Sequence, residues 1–176
     1  INAEDADVIF NGTTDFDLFG DSVAGAGDVN GDGFADIVVG AYTAEDTGTS
    51  RGRSYLFYGG STLAATINAE DADVIFNGTI NFGSFGSSVT GAGDVNGDGY
   101  DDVLVGARSA DVSGTQEGIS YLFYGGNSLA SSISASAASV TFTGTSDSDR
   151  FGTSVAGAGD VNADGFADLL IGADRV

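Results

Sequence analysis

One nine-residue stretch returns in this chain at a fixed interval, and that interval limits the fold more than any other feature. DVNGDGFAD begins at Asp28, DVNGDGYDD at Asp94 and DVNADGFAD at Asp160, so successive copies lie 66 residues apart. Phe19-Gly20, Phe85-Gly86 and Phe151-Gly152 keep the same spacing, and SYLFYGG at Ser54–Gly60 recurs at Ser120–Gly126. INAEDADVIFNGT fills Ile1–Thr13 and returns letter for letter at Ile67–Thr79, with a degraded copy, ISASAASVTFTGT, at Ile133–Thr145. A period of this length marks supersecondary units that cannot bury their faces alone and stack on their neighbours. The chain therefore reads as one array over residues 1–176: repeat 1 at 1–66, repeat 2 at 67–132 and a partial repeat 3 at 133–176.

Within a repeat the pattern is all-β. Val8–Phe10, Ser22–Val29, Asp36–Ala41 and Ser54–Gly60 are short runs of β-branched and aromatic residues separated by Gly, Asn, Asp and Ser. No helical stripe lies between them, so each unit is expected to be a four-stranded antiparallel sheet. The alternation of Gly and Ala in VAGAG leaves one strand face nearly bare, which suits an innermost strand packed against another backbone. Tandem blades of a β-propeller satisfy all of this. A propeller ring closes with about 4 to 8 blades, so the chain is expected to be a fragment of, or a building block for, a larger propeller or assembly.

Charge narrows the partners. The net charge is −21, with all five cations Arg and no Lys or His. Nucleic acid needs cations on its phosphates, and an anionic membrane repels such a surface, so neither is an expected partner. Cysteine is absent, which excludes disulfides and thiolate metal sites. No apolar run reaches transmembrane length and no signal peptide opens the sequence; Ile1 in first place points to a processed product or an excised piece. With no His, Cys or Lys, no base or nucleophile of the usual kind is available, and no enzyme activity is expected.

General surface acidity does not explain three carboxylates in nine residues. In the first copy, Asp28, Asn30, Asp32 and Asp36 occupy positions 1, 3, 5 and 9, with Gly33 turning the chain at position 6. Alternate side chains ahead of a glycine turn wrap oxygens about a point, and the Phe34 carbonyl at position 7 can add another. Ca²⁺ takes 6 to 8 oxygens at about 2.3–2.6 Å in a forgiving geometry; Mg²⁺ is stricter and zinc prefers His or Cys. An Asx-turn with glycine looks similar over four residues, but not with the ninth-position Asp kept in three copies. An EF-hand would need Glu at position 12, where Val39, Val105 and Ile171 stand.

FG followed by SVAGAGDVNGDGFADIVVGA resembles the FG-GAP repeat, the blade unit of the seven-bladed propeller in integrin alpha subunits and many bacterial surface proteins. The resemblance spans essentially the whole chain. It implies a bacterial surface or secreted source, an extracellular or cell-surface location, and one calcium ion per repeat, held in the loop between the first and second strands of a blade. The donors it implies are Asp28, Asn30, Asp32, the Phe34 carbonyl and Asp36; Asp94, Asn96, Asp98, the Tyr100 carbonyl and Asp102; and Asp160, Asn162, Asp164, the Phe166 carbonyl and Asp168. Two departures stand out. The proline of Gly-Ala-Pro is replaced by Tyr42, Arg108 and Asp174, and position 4 of the third loop is Ala163 rather than glycine.

The function expected is a calcium-binding structural or adhesion module whose loops are stiffened by the ion, with a protein or glycan ligand that the sequence does not identify. Self-association through open strand edges into a filament or sheath is an alternative, and a non-catalytic domain of a secreted hydrolase is a second. The paired Phe of Phe-Gly reads as packing between blades, and Tyr55, Phe57 and Tyr58 as core rather than a sugar platform. Asn11-Gly12-Thr13 and Asn77-Gly78-Thr79 match the glycosylation sequon but read better as turns. Arg51 and Arg53 fall in a polar stretch and read as solvated.

Overall fold

The computed structural model describes residues 6–44, 49–112 and 115–175; the opening Ile1–Asp5 of the first repeat lies outside them. Thirteen strands account for the regular structure of these residues. They are β1 (Ile9–Asn11), β2 (Ser22–Gly27), β3 (Asp36–Ala41), β4 (Arg53–Phe57), β5 (Thr66–Asn68), β6 (Val74–Asn77) and β7 (Phe85–Gly93). The remainder are β8 (Asp102–Ala107), β9 (Ile119–Phe123), β10 (Ser132–Ser134), β11 (Val140–Thr143), β12 (Ser154–Gly159) and β13 (Asp168–Gly172). Two 3-10 turns, Ala69–Asp71 and Ala135–Ala137, interrupt the β-structure among the described residues.

The strands form antiparallel sheets in the order β2-β3-β4-β6 and β7-β8-β9-β11, followed by the pair β12-β13. Each complete sheet thus takes its outermost strand from the following sequence repeat, β6 for the first blade and β11 for the second. Val39 pairs with Tyr55 and Tyr55 with Ile75 across the first blade. Short lead-in segments add parallel pairs to the outer strands: β5 lies on β1 and β10 on β6. The sheets are stitched across the repeat boundary because a sequence period has no phase of its own, and a strand pairs with whatever edge its connection reaches.

The core lies between blades. Val38, Leu56, Val74 and Phe76 of the first blade share one buried cluster with Phe85, Val89, Val103, Val105, Tyr121 and Phe123 of the second. The bare inner strand expected from VAGAG packs as anticipated: a Cβ on Gly91 would lie 2.7 Å from the Ala26 carbonyl group, and one on Gly157 2.6 Å from the Gly91 oxygen. Each inner strand is also tied to the next by a hydroxyl. Ser22 Oγ accepts from the Val89 N–H and Ser88 Oγ from the Val155 N–H, both at 3.0 Å.

Dependence on neighbours shows at equivalent positions. Val38 and Leu104 are fully buried, whereas Leu170, their counterpart in the third blade, is 62% exposed. Val89 and Val155 are buried, whereas Val23 in the first blade is 63% exposed. Identical chemistry is core or surface according to whether a blade follows or precedes it.

Candidate metal centres

The acidic loops sit where the inner strand of each blade turns into the second. A register shift at Gly25/Gly27, repeated at Gly91/Gly93 and Gly157/Gly159, bends the strand into the loop. Asp36 and Asp102 then open the next strand, and both are almost fully buried.

In the first loop, Asp28 Oδ1 accepts from the N–H groups of Gly31 at 2.8 Å and Asp32 at 3.0 Å, and Oδ2 from Gly33 at 2.8 Å. Asn30 Oδ1 accepts from the Asp32 N–H, and Asn30 Nδ2 donates to Asp32 Oδ2. Asp32 Oδ1 accepts from the Phe34 N–H. Asp36 joins loop to blade: Oδ2 accepts from the Val29 N–H and Oδ1 from the Gly59 N–H, both at 2.8 Å. The second loop repeats these bonds with Asp94, Asn96, Asp98 and Asp102. The third keeps part of this set: Asp160 accepts from the Asp164 and Gly165 N–H groups, Asn162 Oδ1 from the Asp164 N–H, Asp164 from the Phe166 N–H and Asp168 from the Val161 N–H.

Each loop therefore brings its position 1, 3, 5 and 9 side chains into one hydrogen-bonded turn, with the position 7 N–H on the position 5 carboxylate. Among the described residues no three such carboxylates are drawn close enough together to form a ready-made metal cage; their oxygens are turned on backbone N–H groups. The donor set nonetheless fits a hard cation. All the side-chain donors are oxygens, each loop has three carboxylates, and a carboxylate oxygen that accepts one N–H keeps a further lone pair.

The electrostatics call for a counter-charge. Burial pushes the Asp36 carboxyl above the ordinary carboxylate range; the N–H groups of Gly59 and Val29 work against this, and Asp32 and Asp28 reinforce it by repulsion. Asp102 is raised in the same way, with Gly125 and Val95 opposing burial and Asp98 and Asp94 adding to it. For Asp94 burial works against the charge, but the N–H groups of Gly99, Gly97, Asp98 and Asn96 outweigh it and hold the carboxyl below its usual range.

The FG-GAP repeat family matches residues 19–57, 85–123 and 151–176, each span running from Phe-Gly into the blade and across its acidic loop. The chain belongs to the FG-GAP repeat family. It is similar to integrin alpha-8 of Mus musculus, 36% identical over 182 residues covering 98% of this chain and 16% of that protein. Integrin alpha-IIb of Mus musculus is 34% identical over 163 residues, 88% of this chain and 15% of that protein. Integrin alpha-PS2 of Drosophila melanogaster is 35% identical over 165 residues, 89% and 11% respectively. The chain thus spans between 11% and 16% of the length of these curated relatives.

The two dipeptides that name the FG-GAP repeat meet in space. A Cβ on Gly40 would lie 2.0 Å from the carbonyl oxygen of Gly86, and one on Gly106 2.1 Å from that of Gly152. The Gly-Ala of one blade thus receives the Phe-Gly of the next, and Phe85 is buried between blades, as a packing residue should be. In place of the family's proline, Arg108 stacks over the Tyr42 ring at 5.1 Å, a cation–π contact between successive blades.

Tyr55, Phe57, Tyr121 and Phe123 are buried, and Phe19 and Phe85 pack edge-on or tilted against Tyr55 and Tyr121 at 5.4 Å. Tyr58 is partly exposed. Asn77 is committed, its Nδ2 donating to the Ile75 carbonyl, the Ile133 carbonyl and Ser132 Oγ, while Asn11 is exposed. Arg51 is exposed but donates to Asn81 Oδ1 at 2.8 Å. Arg53 is a β4 residue paired with Ala41 and Asn77 rather than a loop residue, because β4 begins one residue earlier than its aromatic run.

One residue at these loops was not singled out in the sequence. Asp101, at position 8 of the second motif, stands where the other copies have Ala35 and Ala167, and that difference was the available signal. Its carboxylate reaches the first loop.

Proposed function

We propose that this chain is an extracellular or cell-surface adhesion module of integrin-like propeller blades, one array with repeats at 1–66, 67–132 and 133–176, whose three acidic loops each bind one Ca²⁺. The observation that carries the reading is the repeated loop geometry: three carboxylates and an amide oxygen on one glycine-turned segment, joined to the strand that follows through a position 9 Asp that is buried in the first two repeats. Asp28, Asn30, Asp32, Asp36 and the Phe34 carbonyl would hold the first ion. The corresponding residues would hold the second and third: Asp94, Asn96, Asp98, Asp102 and the Tyr100 carbonyl, then Asp160, Asn162, Asp164, Asp168 and the Phe166 carbonyl. Bound calcium supplies positive charge that offsets the repulsion within each loop, and three ions would change the net charge from −21 to −15.

The chain's own part is to position oxygens. Backbone N–H groups hold Asp28 and its counterparts in place, and Asp36 and its counterparts transmit the loop's order to the second strand. The role is mechanical, and it assigns no reaction. Affinity on the order of 10⁻⁴ to 10⁻³ M, usual for extracellular modules, keeps such sites filled outside cells. The adhesive ligand would be a protein or a glycan. The loops at the end of the first two blades opposite the acidic turns expose Phe16 and Phe82, which offer apolar contact.

Thermal melting during calcium titration tests this. A site at a hundred times its dissociation constant adds about 2.7 kcal/mol, so the melting temperature should climb with Ca²⁺ well beyond any rise in equal Mg²⁺. Equal responses to the two ions would overturn the assignment.

A further inference from the structure

The three acidic loops touch one another through contacts that the calcium reading does not require. Asp101, from the second blade, carries its carboxylate onto the first loop, where Oδ2 accepts from the Asp28 N–H at 2.7 Å. The Asp101 N–H in turn donates to the Asp28 carbonyl at 3.1 Å. The adjacent Tyr100 lays its ring on Gly31, so closely that a Cβ there would fall 2.5 Å from Cε1. The next step along the chain repeats part of this: the Ala167 N–H donates to the Asp94 carbonyl at 3.0 Å, and the Phe166 ring lies 2.6 Å from where a Gly97 Cβ would be. In each case position 1 of a loop is gripped by position 8 of the next repeat, and position 4 is roofed by position 7.

Position 7 has two roles in this arrangement. Its carbonyl belongs to its own loop and its ring to the loop before. We propose that the acidic loops are coupled in series, so that ordering the second loop by a cation fixes Tyr100 and Asp101 against the first and raises the first loop's cation affinity, with Asp101 as the positioning residue that makes this step stronger than the next. The inference rests on the calcium reading of the loops.

The physical basis is linkage. A loop that must be ordered before it binds costs conformational entropy, and a neighbour that has already ordered it removes part of that cost. Linkage is reciprocal, so cation in the first loop favours binding in the second by the same factor. Asp101 adds a second contribution. Its charge lies beside Asp28 and is oriented by a charge-assisted hydrogen bond, so it raises the attraction of the first loop for a cation without being part of that loop. Ala167 offers no such group, and the step from the second loop to the third rests on the backbone bond and the Phe166 ring alone.

Site-resolved titration of the chain with CaCl₂ separates the loops. The position 6 glycines Gly33, Gly99 and Gly165 each donate an N–H to the position 1 carboxylate of their own loop, at 2.8, 2.8 and 2.9 Å. Their amide resonances therefore report the three sites individually. In Asp101→Ala the affinity read at Gly33 should fall about fivefold, with Gly165 unchanged and Gly99 changed less than Gly33. The converse variant, Ala167→Asp, should raise the affinity read at Gly99 by a similar factor. Space exists for it, since Ala167 Cβ stands 2.9 Å from the notional Gly93 Cβ, as Asp101 Cβ stands 2.8 Å from that of Gly27. Calcium binding at all three glycines with Gly33 indifferent to Asp101→Ala and Gly99 indifferent to Ala167→Asp would overturn the coupling alone. No calcium response at any of the three in the parent chain would overturn the calcium reading and the coupling with it.

Discussion

A buried carboxyl at the start of a strand decides how this protein responds to acid. Asp36 and Asp102 are pushed above the ordinary carboxylate range, chiefly by burial, so the folded chain holds their protons more tightly than the unfolded chain does. Their contribution to stability is fully present below the unfolded pKa of about 3.9 and is lost as pH rises through the higher folded value. Asp94, held low by its N–H donors, acts in a separate and more acidic window, where stability is lost as pH falls through its folded value. Without calcium, the melting temperature should therefore fall as pH is raised through the folded-state titration of Asp36 and Asp102. Saturating calcium, which requires the ionised forms, should flatten or reverse that trend. Ala163 is a second feature at this scale, with φ of 60° where Gly31 and Gly97 have 76° and 77°. Side chains are costly in that region, so Ala163→Gly should stabilise the third loop by up to about 1 kcal/mol in calcium-free denaturation. Gly97→Ala should destabilise by more, because the Phe166 ring occupies the space its Cβ would need.

Among the elements, the outer strands do the stitching. β6 is the fourth strand of the first blade although its residues belong to the second repeat, and Phe76 within it is fully buried, its ring centroid 4.5 Å from that of Phe123 in β9. One side chain thus closes a sheet and bridges two blades. Phe76→Ala should cost about 3–5 kcal/mol by equilibrium unfolding. The equivalent Phe142 in β11 is only partly buried, because the third blade consists of β12 and β13 among the described residues and offers no counterpart of β9 to receive it, so Phe142→Ala should cost visibly less. The inner strands carry the opposite constraint. Their glycines keep backbones in contact, and bulges at Gly25/Gly27 and its copies aim the chain into the acidic loops.

At the scale of the whole molecule, burial is a property of the array. Leu104 is fully buried because the third blade covers it, and Leu170 is exposed at the same position of that blade. Leu104→Ala should cost about 2–5 kcal/mol, whereas Leu170→Ala in this chain should change stability by less than about 0.5 kcal/mol. The comparison needs only two denaturation curves, and equal losses would show that the blades do not depend on one another for their cores. The period, the β-character, the Phe-Gly packing and the acidic loops could all be read from the residues, because each is a local pattern that recurs and needs no knowledge of what lies opposite. The exchange of the outer strand, the meeting of Gly40 with the Gly86 carbonyl, the stacking of Arg108 on Tyr42 and the reach of Asp101 to the Asp28 N–H could not. Those contacts join residues of successive repeats, and periodicity states that two units are alike without stating which surfaces of them meet. Backbone approach and sheet register decided that, and they exist only once the blades have packed.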